Sequence, residues 1–146
     1  MASTAGQQKA AKVGAAGLNA YGQIQAGRAA AASGRFDARQ LYRQANNTLA
    51  TSQRSAEEIR RQAQLMESRA RAVAAAGGGS TTDVGMTDLI SNIYKEGELS
   101  ALIALYEGKD VAAGLRDQAK VRKWEGKTAE KNSRLQAFST VLGAFG

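Results

Sequence analysis

The sequence predicts an all-α protein: a long hairpin of two antiparallel helices, with a Gly/Ala-rich N-terminal arm and a short apolar C-terminal helix. The 146 residues include no proline, the residue that most strongly breaks helices. Apolar residues recur at helical spacing and do not alternate with polar ones as in a half-buried strand. Alanine is the largest contributor to the 43% hydrophobic content. Because alanine buries little area, we expect such helices to be completed by oligomerisation.

The amino-acid composition also excludes most kinds of catalytic and metal-binding site. The chain has no cysteine and no histidine, which removes thiolates, the usual neutral-pH base and the commonest metal ligand. The densest acidic residues, Glu96, Glu98 and Glu107, do not converge on one helix face. The glycine run at 77–79 lacks the Gly-Lys-Ser/Thr ending of a phosphate-binding loop. We therefore expect no enzyme, no catalytic residue, no metal site and no cofactor.

Residues 1–34 form the predicted arm, in which six glycines are interleaved with alanine and glutamine. Each glycine costs about 1 kcal/mol relative to alanine inside a helix. Two interpretations stand. The segment is a flexible arm, or it becomes helical by packing on a partner or a bilayer, since small residues let helices approach closely.

Residues 35–76 predict the first long helix, because apolar and small residues are spaced alternately by four and three over four heptads. Every second position of this seam is small, so we expect it to pair with another small-residue surface. The seam consists of Ala45, Leu49, Ser52, Ala56, Ile59, Ala63, Met66, Ala70 and Val73.

The second long helix is predicted to begin near Thr87, after a turn near 77–87, with Thr87 or Asp88 as its N-cap. Its small residues at spacings of four, three and four form one stripe, into which the first seam could pack. The two helices together define a hairpin domain over residues 35–132. The stripe consists of Gly97, Ala101, Ala104 and Gly108.

Residues 133–146 form an apolar tail that is too short to span a membrane as a helix. Its large residues fall near one helical face. Two interpretations stand: a terminal helix docked on its own chain, or a contact for another subunit or a membrane surface. The residues for such a contact are Leu135, Phe138, Leu142 and Phe145.

The net charge of +7 is unevenly distributed, because residues 77–110 carry 2 basic and 6 acidic groups between two basic segments. A solvated surface, charge matching between molecules, and contact with nucleic acid or phospholipid are the three interpretations. Trp124 could stack on a base or cover a helix contact. The candidate nucleic-acid contacts are Arg116, Lys120, Arg122, Lys123 and Lys127.

The segment Glu96-Gly97-Glu98-Leu99-Ser100-Ala101-Leu102, followed by Tyr106-Glu107-Gly108, resembles small internal virion and structural proteins of tailed bacteriophages. In those proteins a Gly/Ala-rich start leads into an Ala/Arg/Gln/Glu-rich helix. A Gly/Ser turn and an acidic helix with a downstream tyrosine follow. The same order of segments covers about residues 12–120 here, and it is also the order found in ejection proteins of short-tailed phages.

The resemblance implies a virion component present in many copies, inside the capsid or near the portal and tail axis. For an ejection protein it implies release with the genome and a transient membrane contact in the host envelope. The implied partners are copies of the chain, in a ring or bundle, and virion proteins such as portal or tail components. Two alternatives stay open: a permanent neck, adaptor or tail-interior subunit, and a basic packaging protein that contacts the DNA backbone.

Overall fold

The computed structural model describes residues 3–78 and 83–145, and the side chains of residues 14–78 and 83–143. Helix α1 spans Ser3–Ala76 and helix α2 spans Val84–Phe145. Of the described residues, all but Gly77, Gly78 and Asp83 are helical, and none lies in a strand. The prediction of an all-α chain with two long helices packed against each other is confirmed.

Helix α1 ends where the glycine run begins. The Gly77 amide donates to the Val73 carbonyl at 3.0 Å. Gly78 then takes a φ of 73°, a left-handed conformation that glycine adopts without a steric penalty. The predicted residues of this turn at 79–82 lie outside the described part of the chain.

Helix α2 begins earlier than the predicted start near Thr87. The backbone carbonyl of Asp83 accepts from the Thr87 amide at 2.9 Å, which is the first hydrogen bond of an α-helix. Asp83 therefore occupies the N-cap, a position that aspartate favours. The residues that had been expected to cap the helix lie in its first turns.

Helix α1 also begins earlier than predicted, at Ser3 and not at residue 35. The glycines do not interrupt it, because two of them, Gly27 and Gly34, pack against α2, and such packing can outweigh a propensity cost of about 1 kcal/mol each. Ordering of this segment by assembly stays a prediction. Likewise, the tail predicted at 133–146 is continuous with α2 as far as Phe145.

The chain divides into two compact units, each made of one stretch of either helix. The turn unit is Arg43–Leu115, and the terminal unit combines Met1–Tyr42 with Arg116–Gly146. Both unit boundaries fall inside continuous helices, and the division into arm, hairpin and tail stays a prediction. Each unit combines a stretch of each helix because residues distant in sequence pack together when the helices run antiparallel.

In the turn unit, Gly108 of α2 faces Ser52 of α1, and Gly97 faces Ala63. The residue numbers rise along one helix as they fall along the other, so the packing is antiparallel. The interval between the two facing residues is the same on each helix, which shows a constant register. The buried residues of this unit are Ala45, Ser52, Ala56, Ala101, Gly108 and Ala112.

The terminal unit is also antiparallel, with Gly27 facing Ser133 and Gly34 facing Gly126. Its buried residues are again small and recur at heptad spacing on α1. None of the described large side chains in either unit is fully buried, and the buried core is alanine, glycine and Ser52. The buried residues of the terminal unit are Ala20, Gly27, Ala31, Gly34, Ala38, Ala119, Gly126 and Ala137.

Candidate assembly surface

The helices of the terminal unit touch through their backbones at Gly34 and Gly126. A methyl group added to Gly34 would lie 2.6 Å from the Arg122 carbonyl oxygen. One added to Gly126 would lie 3.2 Å from the Cα atom of Ala31. No side chain lies between the helices here, so neither residue could carry a Cβ atom without a backbone shift.

Sequence reasoning missed this contact in the terminal unit. The signal was present, because Ala20, Gly27, Ala31, Gly34 and Ala38 are spaced by seven, four, three and four residues. That rhythm is the same as the rhythm of the predicted seam. The glycines were expected to allow close helix packing on a partner or a bilayer, whereas here Gly27 and Gly34 contact the other helix of the same chain.

The predicted seam of α1 is largely found between the helices of the turn unit. Ala45, Ser52 and Ala56 are buried. Met66 and Val73 depart from the prediction, since they are 57% and 72% exposed. The remaining members are half-buried: Leu49, Ile59, Ala63 and Ala70.

The physical reason for this departure is helical drift. A strict heptad repeat rotates by about 20° per heptad around a straight α-helix. Over successive heptads the contact line moves, so that Glu67, Ala70 and Ala74 are the half-buried residues near the end of α1. A seam drawn with fixed three- and four-residue steps therefore leaves the interface before the helix ends.

The predicted stripe on α2 faces α1 in the turn unit. Ala101 and Gly108 are buried, and Gly97 and Ala104 are half-buried. A methyl group on Gly97 would overlap the Cβ atom of Ala63, and one on Gly108 would overlap Ser52. The stripe thus provides the close approach for which its small residues were singled out.

The opposite side of α2 carries a second apolar surface, which we call the outer apolar patch. Its residues recur at helical spacing and face away from α1, and Leu99 and Tyr106 are 59% and 62% exposed. The Lys109 ammonium lies 5.4 Å from the Tyr106 ring centre, a cation–π distance. The patch consists of Leu99, Leu102, Ile103 and Tyr106.

Within the terminal unit, the predicted tail contributes both to packing and to the surface. Ala137 is buried, whereas Leu135, Phe138 and Leu142 are exposed, with Phe138 at 73%. The side chain of Phe145 lies outside the described residues. A groove of about 500 Å³ runs beside the tail, lined by Ala20, Ile24, Arg28, Arg134, Ala137, Phe138, Val141 and Leu142.

One ion pair joins α1 to α2 among the described side chains. Arg60 donates from Nε to Glu98 Oε1 at 2.9 Å and from Nη2 to Glu98 Oε2 at 3.2 Å. The hydrogen bond and the charge of Glu98 raise the pKa of Arg60 above its ordinary value. The pair adds a directional contact to an interface that otherwise consists mainly of small side chains.

The candidate nucleic-acid contacts are all exposed in the terminal unit. Lys120 donates to Asp117 at 2.6 Å, and this hydrogen bond raises the pKa of Lys120. Arg122 donates to Glu125 at 3.2 Å, and the side chain or backbone of Arg116 also contacts a partner. In contrast, Lys123 and Lys127 form no ion pair with the described carboxylates. The five residues therefore differ in how far their charge is compensated.

The described residues were compared with the requirements of a metal site and of a membrane-spanning helix. They contain no group of three or more acidic, histidine or cysteine side chains arranged to bind a metal ion. In the part of the chain that the structure describes, neither helix has a stretch long and apolar enough to cross a bilayer. Comparison of the chain with protein-family models, curated proteins and solved structures found no match.

Proposed function

We propose that this chain is an assembly subunit, and specifically an internal protein of a tailed-phage virion near the portal and tail axis. The observation that carries the assembly role is the distribution of side-chain size. The fully buried residues of both units are alanine, glycine and serine, whereas most of the described large apolar side chains are exposed. Burying large side chains is the main source of hydrophobic stabilisation, so this surface favours further association.

The outer apolar patch is the strongest candidate for that association in the turn unit. It lies on the same stretch of α2 as the small-residue stripe, but on the other side. One side of this stretch therefore packs within the chain, and the other remains for a second copy. The virion context is supported by the resemblance of the segment from Glu96 to Gly108, and assistance in genome delivery follows from the same resemblance.

The assembly role is tested by the mass of the purified full chain, measured by light scattering with and without detergent. We expect a discrete multiple of the chain mass without detergent. Ile103→Asp places a charge in the outer apolar patch and should shift the mass toward the monomer. Asn47→Asp adds the same charge to an exposed position on α1, outside the patch, and should not. A wild-type chain that is monomeric in both conditions would overturn the assembly role.

The virion role is tested by detecting the chain in purified particles before and after DNA ejection. An internal protein that assists delivery should be present in full particles and absent from emptied ones. Retention in emptied particles would favour the alternative, a permanent neck, adaptor or tail-interior subunit. Absence from full particles would refute both virion assignments.

A further inference from the structure

The two helices bring all of the excess positive charge into the terminal unit. This unit contains twelve basic and four acidic residues, a net charge of +8, whereas the turn unit contains eight and nine, a net charge of −1. The sequence places the two basic segments at opposite ends of the chain. Antiparallel packing makes them neighbours, so the terminal unit has a charge that neither segment has alone.

Nine described basic residues of the terminal unit form one stripe on each helix, and Arg122 lies outside both stripes. On α1, Arg28, Arg35, Arg39 and Tyr42 are spaced by seven, four and three residues, which places them on one side. On α2 the spacings are four, three, four, four and three, again one side of the helix. The α2 stripe consists of Arg116, Lys120, Lys123, Lys127, Lys131 and Arg134.

Two observations show that the stripes lie on the same side of the terminal unit. Arg28 and Arg134 line the same groove. Tyr42 lies close enough to Lys120 to influence it electrostatically. Between these points, Gly34 and Gly126 let the helix backbones touch, so the stripes border each other. We call the combined surface the basic face.

Most of the basic face has no ion-pair partner among the side chains that the structure describes. Lys120 pairs with Asp117 and Arg134 pairs with Glu130, both across one helical turn. Among the described side chains, no carboxylate forms an ion pair with six of the others. These six residues are Arg28, Arg35, Arg39, Lys123, Lys127 and Lys131.

From this geometry we infer that the basic face binds the phosphate backbone of a nucleic acid without reading its base sequence. At about 1.5 Å per residue, the α2 stripe is roughly 27 Å long. That is the length of about eight phosphates along one strand of a duplex. The face is built from both helices, so it adds α1 residues to the α2 residues that the sequence singled out and leaves out one of these, Arg122.

A phosphate backbone suits the face better than a membrane surface does. Membrane-surface helices interleave large apolar side chains with the basic ones, so that the apolar groups enter the lipid. Here the exposed Leu135, Phe138 and Leu142 lie at the C-terminal end of α2. The stretch from Arg116 to Lys131 contains two exposed large apolar residues, Val121 and Trp124. Trp124 is 66% exposed and can report on binding by its fluorescence.

The test measures binding of the full chain to a labelled 20-mer single strand and a 20-base-pair duplex, each in two unrelated sequences, across a salt series. For four to six phosphate contacts, the slope of log affinity against log salt on the duplex should be about −4 to −5. The two sequences should bind equally. A slope near zero, or a strong preference for one sequence, would overturn the inference.

The decisive variants are neighbours in sequence. Lys123→Gln removes a charge from the basic face, whereas Arg122→Gln removes one from the other side of the contact line through Ala119 and Gly126. Lys123→Gln should weaken duplex binding roughly five- to tenfold at 100 mM salt and reduce the slope by about 0.9. Arg122→Gln should leave the duplex affinity and the salt slope nearly unchanged. If the two variants weaken binding equally, binding depends on net charge alone and the basic face is not the binding surface.

Arg35→Gln tests whether α1 contributes to the face. It should reduce affinity and slope as Lys123→Gln does, and no effect would refute a face built from both helices. The last measurement is binding of the full chain to vesicles with and without phosphatidylserine. Binding to anionic vesicles that survives salt sufficient to release the duplex would show that the surface is a membrane contact, contrary to the inference. The helicity of each variant at 222 nm verifies that it is folded.

Discussion

Gly108 provides the sharpest test of the close helix contact, because its contact, its control and its rescue all lie in the turn unit. A methyl group on Gly108 would overlap both the Cβ and Oγ atoms of Ser52. Rotation of the serine cannot relieve the overlap with Cβ. The hydroxyl is also engaged, since it donates to the Leu49 carbonyl at 2.9 Å. Gly108→Ala should therefore force the two backbones apart.

The magnitude follows from two opposing effects. Replacing glycine by alanine inside a helix stabilises by about 1 kcal/mol. Overpacking a close contact costs about 1–3 kcal/mol. Gly114 lies six residues further along α2, and a methyl group there would meet nothing within 4 Å. Gly114→Ala should thus raise the free energy of unfolding by about 1 kcal/mol, whereas Gly108→Ala should leave it about 1–3 kcal/mol below the Gly114→Ala variant.

Urea unfolding followed by circular dichroism at 222 nm, at one fixed protein concentration, measures both variants. The rescue is Ser52→Gly, which removes the atoms that the new methyl group would overlap. Combined with Gly108→Ala it should restore part of the lost stability, with a coupling free energy of about 1 kcal/mol or more. If Gly108→Ala stabilises as much as Gly114→Ala, the helices do not approach closely at this position.

Two further predictions concern the terminal unit and the ion pair of the turn unit. Gly34→Ala should lower the melting temperature because its methyl group would meet backbone atoms. Gly22→Ala is the control and should raise the melting temperature, because its methyl group would meet nothing within 4 Å. Equal shifts of the two variants in calorimetry would contradict the backbone contact. Glu98→Gln and Arg60→Gln should each destabilise slightly at low salt and less at high salt, and the double variant should lose less than the sum of the two. Strict additivity at low salt would indicate that the pair does not form in solution.

Much of the helical hairpin could be predicted from local sequence signals. The absence of proline, the heptad rhythm from Ala45 to Ala63 and the glycine run after Ala76 each act within a few residues. The start of α2 was misjudged because a strong N-cap, Asp83, lay close to equally plausible caps. The ends of the seam were misjudged because drift accumulates over several heptads.

The candidate surfaces were less predictable. The outer apolar patch is identified by the exposure of its side chains in the structure. The helical spacing of the same residues in the sequence could equally have indicated burial against α1. Trp124 shows this limit, since its sequence context allowed either a helix contact or stacking on a base, and the structure leaves its side chain 66% exposed. The candidate basic residues were found by charge alone, which does not separate Lys123 from its neighbour Arg122.

By itself, the sequence determined that the chain is helical, that its contacts are made by small residues, and that it lacks histidine and cysteine chemistry. These properties depend on composition and on short-range spacing. Only the tertiary structure decided which segments become neighbours. The antiparallel register places Gly34 of α1 in contact with Gly126 of α2. Two basic segments at opposite ends of the sequence then share one unit. Their charges reinforce each other because the electrostatic potential depends on distance in space and not on separation along the sequence.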